Sequence, residues 1–374
     1  MRKPFIYGTS VGGENFTDRV KETKRLKLDF ENGINTILIS PRRMGKTSLV
    51  KKVISQITSP DIKIIPMDIY DCRNEYDFIN RFASTIMKHT AGKMDLVAST
   101  VREFLSRIVP TIKYSLDPAQ DFSLSLGITP ETYSPEEIYN LPEVIAKKRG
   151  YHIIVCIDEF QQVGEFTDSL TIQKRMRGIW QHHQNASYCM YGSKKHLMMK
   201  LFQSKRMPFY KFGETLFLEK IPEDDWAEFI KERFVCGGKS ISDEYARRIC
   251  RTVDAYSSYV QELSWDVFAE TEEEVTEQAF LNGVTEMLRQ NSALFECRIE
   301  PLTSYQMNFI KAICDGVHSD FGSKSITDKY GLGTKSNIAR LKKSLEDKEL
   351  IENEKGITVL SDPVFEMRFK KEYM

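Results

Sequence analysis

Residues 40–47 read Ser40-Pro41-Arg42-Arg43-Met44-Gly45-Lys46-Thr47, a set of types and spacings suited to holding phosphate. The apolar run Ile37-Leu38-Ile39 precedes them, and a helical pattern from Ser48 to Ile54 follows. A strand that turns tightly into a helix aims several backbone N–H groups, and the positive end of the helix dipole, at one point. Gly45 lets the backbone approach a phosphate, Lys46 can reach the β- and γ-phosphates, and Thr47 can offer its hydroxyl to Mg²⁺. Ser40 stands where such loops usually have their first glycine. The expected nucleotide-binding segment therefore runs from Ser40 through Ser48.

A second constellation lies at Tyr151-His152-Ile153-Ile154-Val155-Cys156-Ile157-Asp158-Glu159. Its nearly continuous apolar stretch predicts a strand buried on both faces, as in a parallel sheet. Two acids would be costly in a core, but at the carboxyl edge of such a sheet they face the ligand crevice. Asp158 is placed to hold Mg²⁺ opposite Thr47. Glu159 is then the candidate to polarise an attacking water, with Lys46 stabilising the phosphoryl charge. That combination predicts hydrolysis of ATP to ADP rather than transfer to an acceptor.

The elements that must position these residues follow from the pattern along the chain. A helical stretch runs to about Phe30, with Thr17 or Asp18 as its expected cap. Residues 62–70 predict a second strand, residues 74–110 helix, and residues 112–126 a β-hairpin insert. Pro135 to Lys148 predicts one helix leading into the acidic strand. Further strands are expected at 187–191, ending in Gly192-Ser193, and at 214–218. Strands alternating with helices predict a parallel α/β sheet. From Ile221 the pattern turns to amphipathic helices at 222–234, 242–252, 258–270 and 277–294, broken at Gly237-Gly238 and Asp254-Ala255-Tyr256. The last stretch gives three helices (304–316, 325–330, 334–348) and two short strands, which reads as a winged helix-turn-helix. The expected division is residues 1–220 as core, 221–300 as helical lid and 301–374 as winged helix.

Composition narrows the setting. Lys plus Arg and Asp plus Glu number 53 each in 374 residues, so no global field favours nucleic acid or membrane. The N-terminus lacks the apolar core of a signal peptide and no run is long enough to span a bilayer. The 7 cysteines are scattered and odd in number without a CxxC pair, and the 6 histidines lack metal-ligand spacing. These features predict a cytoplasmic protein without a membrane partner.

Phe16-Thr17-Asp18-Arg19, Pro41-Arg42-Arg43-Met44-Gly45-Lys46-Thr47-Ser48-Leu49 and Ile157-Asp158-Glu159-Phe160-Gln161 together resemble the archaeal/prokaryotic ATPase family, relatives of the STAND and AAA+ ATPases. Gly192-Ser193, Tyr259-Val260-Gln261 and Asp362-Pro363-Val364-Phe365 extend the likeness along almost the whole chain. The resemblance implies a P-loop NTPase sheet of the additional-strand, catalytic-glutamate type, then a helical lid and a winged helix. It places Phe16 and Arg19 near the adenine and ribose end of the nucleotide, and Ser193 as the polar sensor beside the acidic strand. The chain departs from the family at Ala255-Tyr256-Ser257-Ser258, where the lid usually carries Gly-His-Pro.

The resulting expectation is a Mg-dependent ATPase switch whose lid and winged helix respond to nucleotide state. Arg42, Arg43, Arg175 and Arg177 read as solvated surface residues rather than an arginine finger, so turnover should be slow. Such a site leaves room for a protein partner or self-association. The alternative is an ATP-licensed DNA-binding protein of initiator or regulator type, using Lys335, Asn337, Arg340 and Lys343 on the third helix of the winged domain. Glu346, Asp347, Glu352 and Glu354 oppose that reading, because an acidic wing is repelled by the phosphate backbone. A third class is a nucleotide-bound scaffold without turnover. Tyr305, Phe309, Phe365 and Phe369 are expected in the core.

Overall fold

The computed structural model describes residues 3–90, 134–354 and 356–374. The expected hairpin at 112–126, and the expected helix beyond Thr90, lie outside the described residues. The chain divides into two compact units, Arg19–Glu219 and Met1–Asp18 with Lys220–Met374.

In the first unit β1 (Thr36–Ile39), β2 (Ile62–Asp68), β3 (His152–Asp158), β4 (Ala186–Gly192) and β5 (Glu214–Phe217) form a parallel sheet in the order β2-β3-β4-β1-β5. β1 and β4 are buried at every position, as strands covered on both faces of a parallel sheet are. The insertion of β4 between β1 and β3 is the additional-strand arrangement expected. One face is filled by a cluster that includes Ile37, Ile39, Val155, Ile157, Met190 and Trp180. Trp180 stacks on Tyr188 with centroids 4.1 Å apart.

The helices of this unit are α1 (Val20–Glu31), α2 (Lys46–Gln56), α3 (Glu75–Thr90), α4 (Pro135–Tyr139), α5 (Leu141–Arg149), α6 (Ser169–Trp180) and α7 (Lys195–Gln203). Neither Thr17 nor Asp18 caps α1. Its N-cap is Arg19 in a left-handed conformation (φ 62°), and no side chain caps it. The single helix expected over 135–148 is two, because Asn140 ends α4 and Pro142 sits in the first turn of α5, where it has no N–H to lose.

The second unit contains α8 (Glu223–Cys236), α9 (Asp243–Thr252), α10 (Ser257–Glu270), α11 (Glu277–Gln290) and α12 (Ser292–Ile299). The break before α10 places both Asp254 and Ala255 at positive φ, 50° and 54°. The helix expected over 277–294 is interrupted at Asn291. Its side-chain amide donates to Met287 O at 2.9 Å and to Glu262 Oε1 at 2.7 Å, local bonds that compete with helix continuation. The first eighteen residues, expected with the core, belong to this unit instead: Phe5 is 1% exposed and packs edge-on against Phe229, Phe234 and Phe268.

The C-terminal part is built from α13 (Ser304–Cys314), α14 (Lys324–Tyr330), α15 (Lys335–Asp347), the antiparallel pair β6 (Ile351–Glu354) and β7 (Ile357–Leu360), and α16 (Pro363–Tyr373). Thr303 and Gln306 form a capping box on α13. The sequence pattern gave no sign of α16, whose N-cap Asp362 accepts from the backbone N–H groups of Val364 and Phe365. Phe309, Phe365 and Phe369 are fully buried as expected, but Tyr305 is 51% exposed. Among the described residues no helix is long and apolar enough to cross a membrane.

Candidate functional site

The sheet order brings the expected chemistry to one carboxyl edge. Asp68 and Asp158 end neighbouring strands in register, and Ile39 pairs with Gly192, so the loop at Ser40 leaves the sheet beside Ser193. After β1 the backbone turns through Arg43 (φ 66°) to Gly45 (φ 85°), the N-cap of α2. Gly45 suits this position because a left-handed N-cap favours a residue without Cβ.

Lys46 is only 7% exposed, and its ammonium donates to Ser40 O at 3.1 Å, Ser40 Oγ at 3.2 Å and Pro41 O at 2.8 Å. Burial pulls its pKa down to about 8, while Glu159 and Asp158 act to raise it and Arg42 to lower it. Ser48 is buried behind the loop. Beneath the loop Arg19, 3% exposed, donates to Met44 O at 3.3 Å, to Glu219 O at 2.5 Å and to Glu22 Oε1 at 3.0 Å. Phe16 lies in the other unit, just after the turn Gly13–Asn15.

Thr47 donates its hydroxyl to Asp158 Oδ2 at 2.9 Å, joining the two residues expected to serve a cation. Burial raises the Asp158 pKa to about 6, with Glu159 and Asp68 adding to the rise and the Thr47 hydrogen bond opposing it. A hydroxyl and a carboxylate side by side are hard oxygen donors of the kind Mg²⁺ accepts. Among the described residues no group of three or more His, Cys, Asp or Glu is placed to hold a metal, so a cation here would draw its remaining ligands from water and phosphate.

Glu159 has φ 56° and opens the 3₁₀ turn Phe160–Glu165. A left-handed conformation in a residue with a Cβ costs about 1 kcal/mol or more and concentrates at functional sites. Its Oε2 accepts from Ser193 Oγ at 2.9 Å, from Ser193 N at 3.4 Å and from Gln161 Nε2. Lys46, Thr47, Asp158, Glu159 and Ser193 thus share one corner of the sheet. The family resemblance included Gln161 without a role, and Asp68 was passed over although it ends a strand as Asp158 does.

Arg175 and Arg177 are not merely solvated. Arg175 pairs with Glu75 at 2.6 Å and Glu136 at 3.0 Å, and Arg177 lies 4.7 Å over the Phe212 ring. Both are engaged in packing α6 against its neighbours.

In the winged region Lys335, Arg340 and Lys343 are exposed on α15. Asn337 is committed locally: its amide donates to Leu332 O at 2.7 Å and its oxygen accepts from Arg340 at 2.8 Å. The wing presents Ile357 (55% exposed) and Val359 (40% exposed), with Glu352 opposite Val359.

Residues 293–371 match a family model described as a probable winged helix domain. No curated protein matches the chain. Among solved structures, a Walker-type ATPase of Pyrococcus abyssi is similar over 98% of this chain and 99% of its own, with TM-score 0.71 and 17% identity. The ORC2 protein of Aeropyrum pernix, in ADPNP and ADP complexes, is similar over 99% of this chain and 98% of its own, with TM-score 0.59 and 12% identity. The ORC1 protein of Aeropyrum pernix, in complex with DNA, is similar over 97% of this chain and 94% of its own, with TM-score 0.51 and 11% identity. The chain therefore shares the fold of these archaeal proteins, with a winged helix at residues 293–371.

Proposed function

We propose that this chain is a slow ATPase that works as a nucleotide-dependent switch. The observation that carries the reading is the hydrogen-bonded set Thr47–Asp158 and Ser193–Glu159 at the edge from which the Lys46 loop springs. In this reading the N–H groups at the start of α2 and the Lys46 ammonium bind the β- and γ-phosphates. Mg²⁺, held by Thr47 and Asp158, supplies charge neutralisation at the phosphates. Glu159 orients a water and takes its proton, while Ser193 senses the γ-phosphate through the same carboxylate.

The arginines of α6 are occupied in ion pairing and ring stacking, which supports slow intrinsic turnover. An arginine supplied by a partner or a second copy would add about 10³- to 10⁵-fold. ATP hydrolysis in a single turnover tests the reading, with Glu159→Gln as comparison. The wild type is expected to convert bound ATP to ADP; the variant should keep its affinity and lose about 10²-fold or more in rate. Equal rates in the two would remove Glu159 from its role.

A second reading, in which ATP licenses DNA binding, is favoured by the three exposed cations of α15. Reversing Lys335 and Arg340 to Glu should then abolish a salt-dependent shift of duplex DNA. The apolar wing residues Ile357 and Val359 support a protein contact instead, and a shift untouched by the reversal would leave that contact as the role of the winged helix.

A further inference from the structure

We propose that Gln161 is the residue that positions Glu159, and that Gly192 is glycine in order to admit it. The inference rests on the reading of Glu159 as the group that activates water. Gln161 is 1% exposed in the first turn after Glu159 and donates its amide N–H to Glu159 Oε2. A carboxylate only accepts, so the amide must present its nitrogen there. Its own oxygen, Oε1, then points the other way, buried and without a hydrogen-bond partner among the described residues. What it meets is Gly192, the last residue of β4: a Cβ at that position would overlap Oε1 and stand 3.0 Å from Gln161 Cδ and 3.2 Å from Met198 Sδ.

An unpaired buried amide oxygen is unfavourable, so the bond to Glu159 is made at a cost in stability. Two side-chain donors, from Gln161 and Ser193, converge on one oxygen of Glu159. They fix the rotation of the carboxylate and leave Oε1 as the oxygen that takes the proton from water. Without Gln161, the carboxylate is held by Ser193 alone and swings. Gly192 is not required by its backbone, which is that of an ordinary strand residue pairing with Ile39. It is required by the amide packed upon it.

The experiment uses the full chain and four variants: Gln161→Met, which keeps volume and removes the donor, Gln161→Ala, Gly192→Ala, and Gln161→Ala with Gly192→Ala. Single-turnover ATP hydrolysis and ADP affinity are measured for each, with thermal melts to confirm folding. Gln161→Met and Gly192→Ala should each slow hydrolysis about tenfold or more at affinity within about twofold of wild type. The double variant should be no slower than Gln161→Ala, because the added Cβ then has no amide to displace. Multiplicative losses in the double variant, or a wild-type rate for Gln161→Met, would overturn the proposal while leaving the ATPase reading intact. A wild type that binds ATP without hydrolysing it would take down the reading and, with it, the proposal.

Discussion

Lys46 places its three N–H bonds on Ser40 and Pro41, so the loop in this conformation is closed on its own cation. Replacing it with Ala should weaken ATP binding by about tenfold or more, since a charge-assisted hydrogen bond contributes about 1.5–3 kcal/mol. With its pKa lowered to about 8, Lys46 must take up a proton to bind phosphate above that pH. ATP affinity measured calorimetrically from pH 7 to 9.5 should fall by up to about tenfold per unit past 8.

Asp266 gives the opposite kind of prediction. It is 2% exposed; burial raises its pKa to about 7, with Glu262, Glu286 and Glu270 reinforcing the rise and Gln290 opposing it. Between the unfolded value and 7 the folded state binds the extra proton, so stability is lost as pH rises through that window. Asp266→Asn should melt above wild type at pH 8, and the gain should vanish near pH 4. The loop and the two acids at the end of β3 were legible because their spacing is linear in the chain. The packing of Gln161 on Gly192 and the placing of Asp68 beside Asp158 were not: they arise only once β4 and β2 flank β3, which no local spacing records.

Helix α10 carries two side chains that face different neighbours because residues two apart on a helix diverge. Tyr259, fully buried, donates to both oxygens of Asp362 at 2.9 and 2.8 Å. Gln261 accepts from Ile6 N at 3.3 Å and donates to Asn15 O at 3.1 Å. Asp362 meanwhile caps α16 and pairs with Arg298 at 3.4 Å, and Arg298 reaches Glu349 O at 2.8 Å. Tyr259→Phe should cost about 1.5–3 kcal/mol by urea denaturation, the range for a bond to a charged group. Asp362→Ala should cost more, because it also removes a cap that contributes about 1 kcal/mol. The sequence showed Tyr-x-Gln and Asp-Pro-Val-Phe as separate weak signals. That they meet depends on a contact 103 residues long-range in the chain, which periodicity cannot reveal. The interruption at Asn291 was equally hidden, since a good apolar period ran straight through it.

At the scale of the molecule, the chain leaves one compact unit between Asp18 and Arg19 and returns to it between Glu219 and Lys220. Arg19 begins the sheet-bearing unit and its guanidinium reaches Glu219, the residue that ends it, as well as the loop at Met44. The parallel sheet and the winged helix were readable from element order, whereas the allegiance of the first eighteen residues was not. Phe5 carries no periodicity that marks it as core, and only the aromatic side chains of α8 and α10 disclose its place. Phe5→Ala should destabilise that unit by about 3–5 kcal/mol in a chemical denaturation series.

The same discontinuity sets an order of events on the ribosome. The segment holding Phe5 and Ile6 is made well before its partners: Phe268 and Gln261, against which they settle, come more than 250 residues later in synthesis. At about 5–20 residues per second, the opening segment waits some tens of seconds, exposed, while the sheet-bearing unit is completed. Phe5 is therefore apolar surface that stays unburied until α8 and α10 have been made.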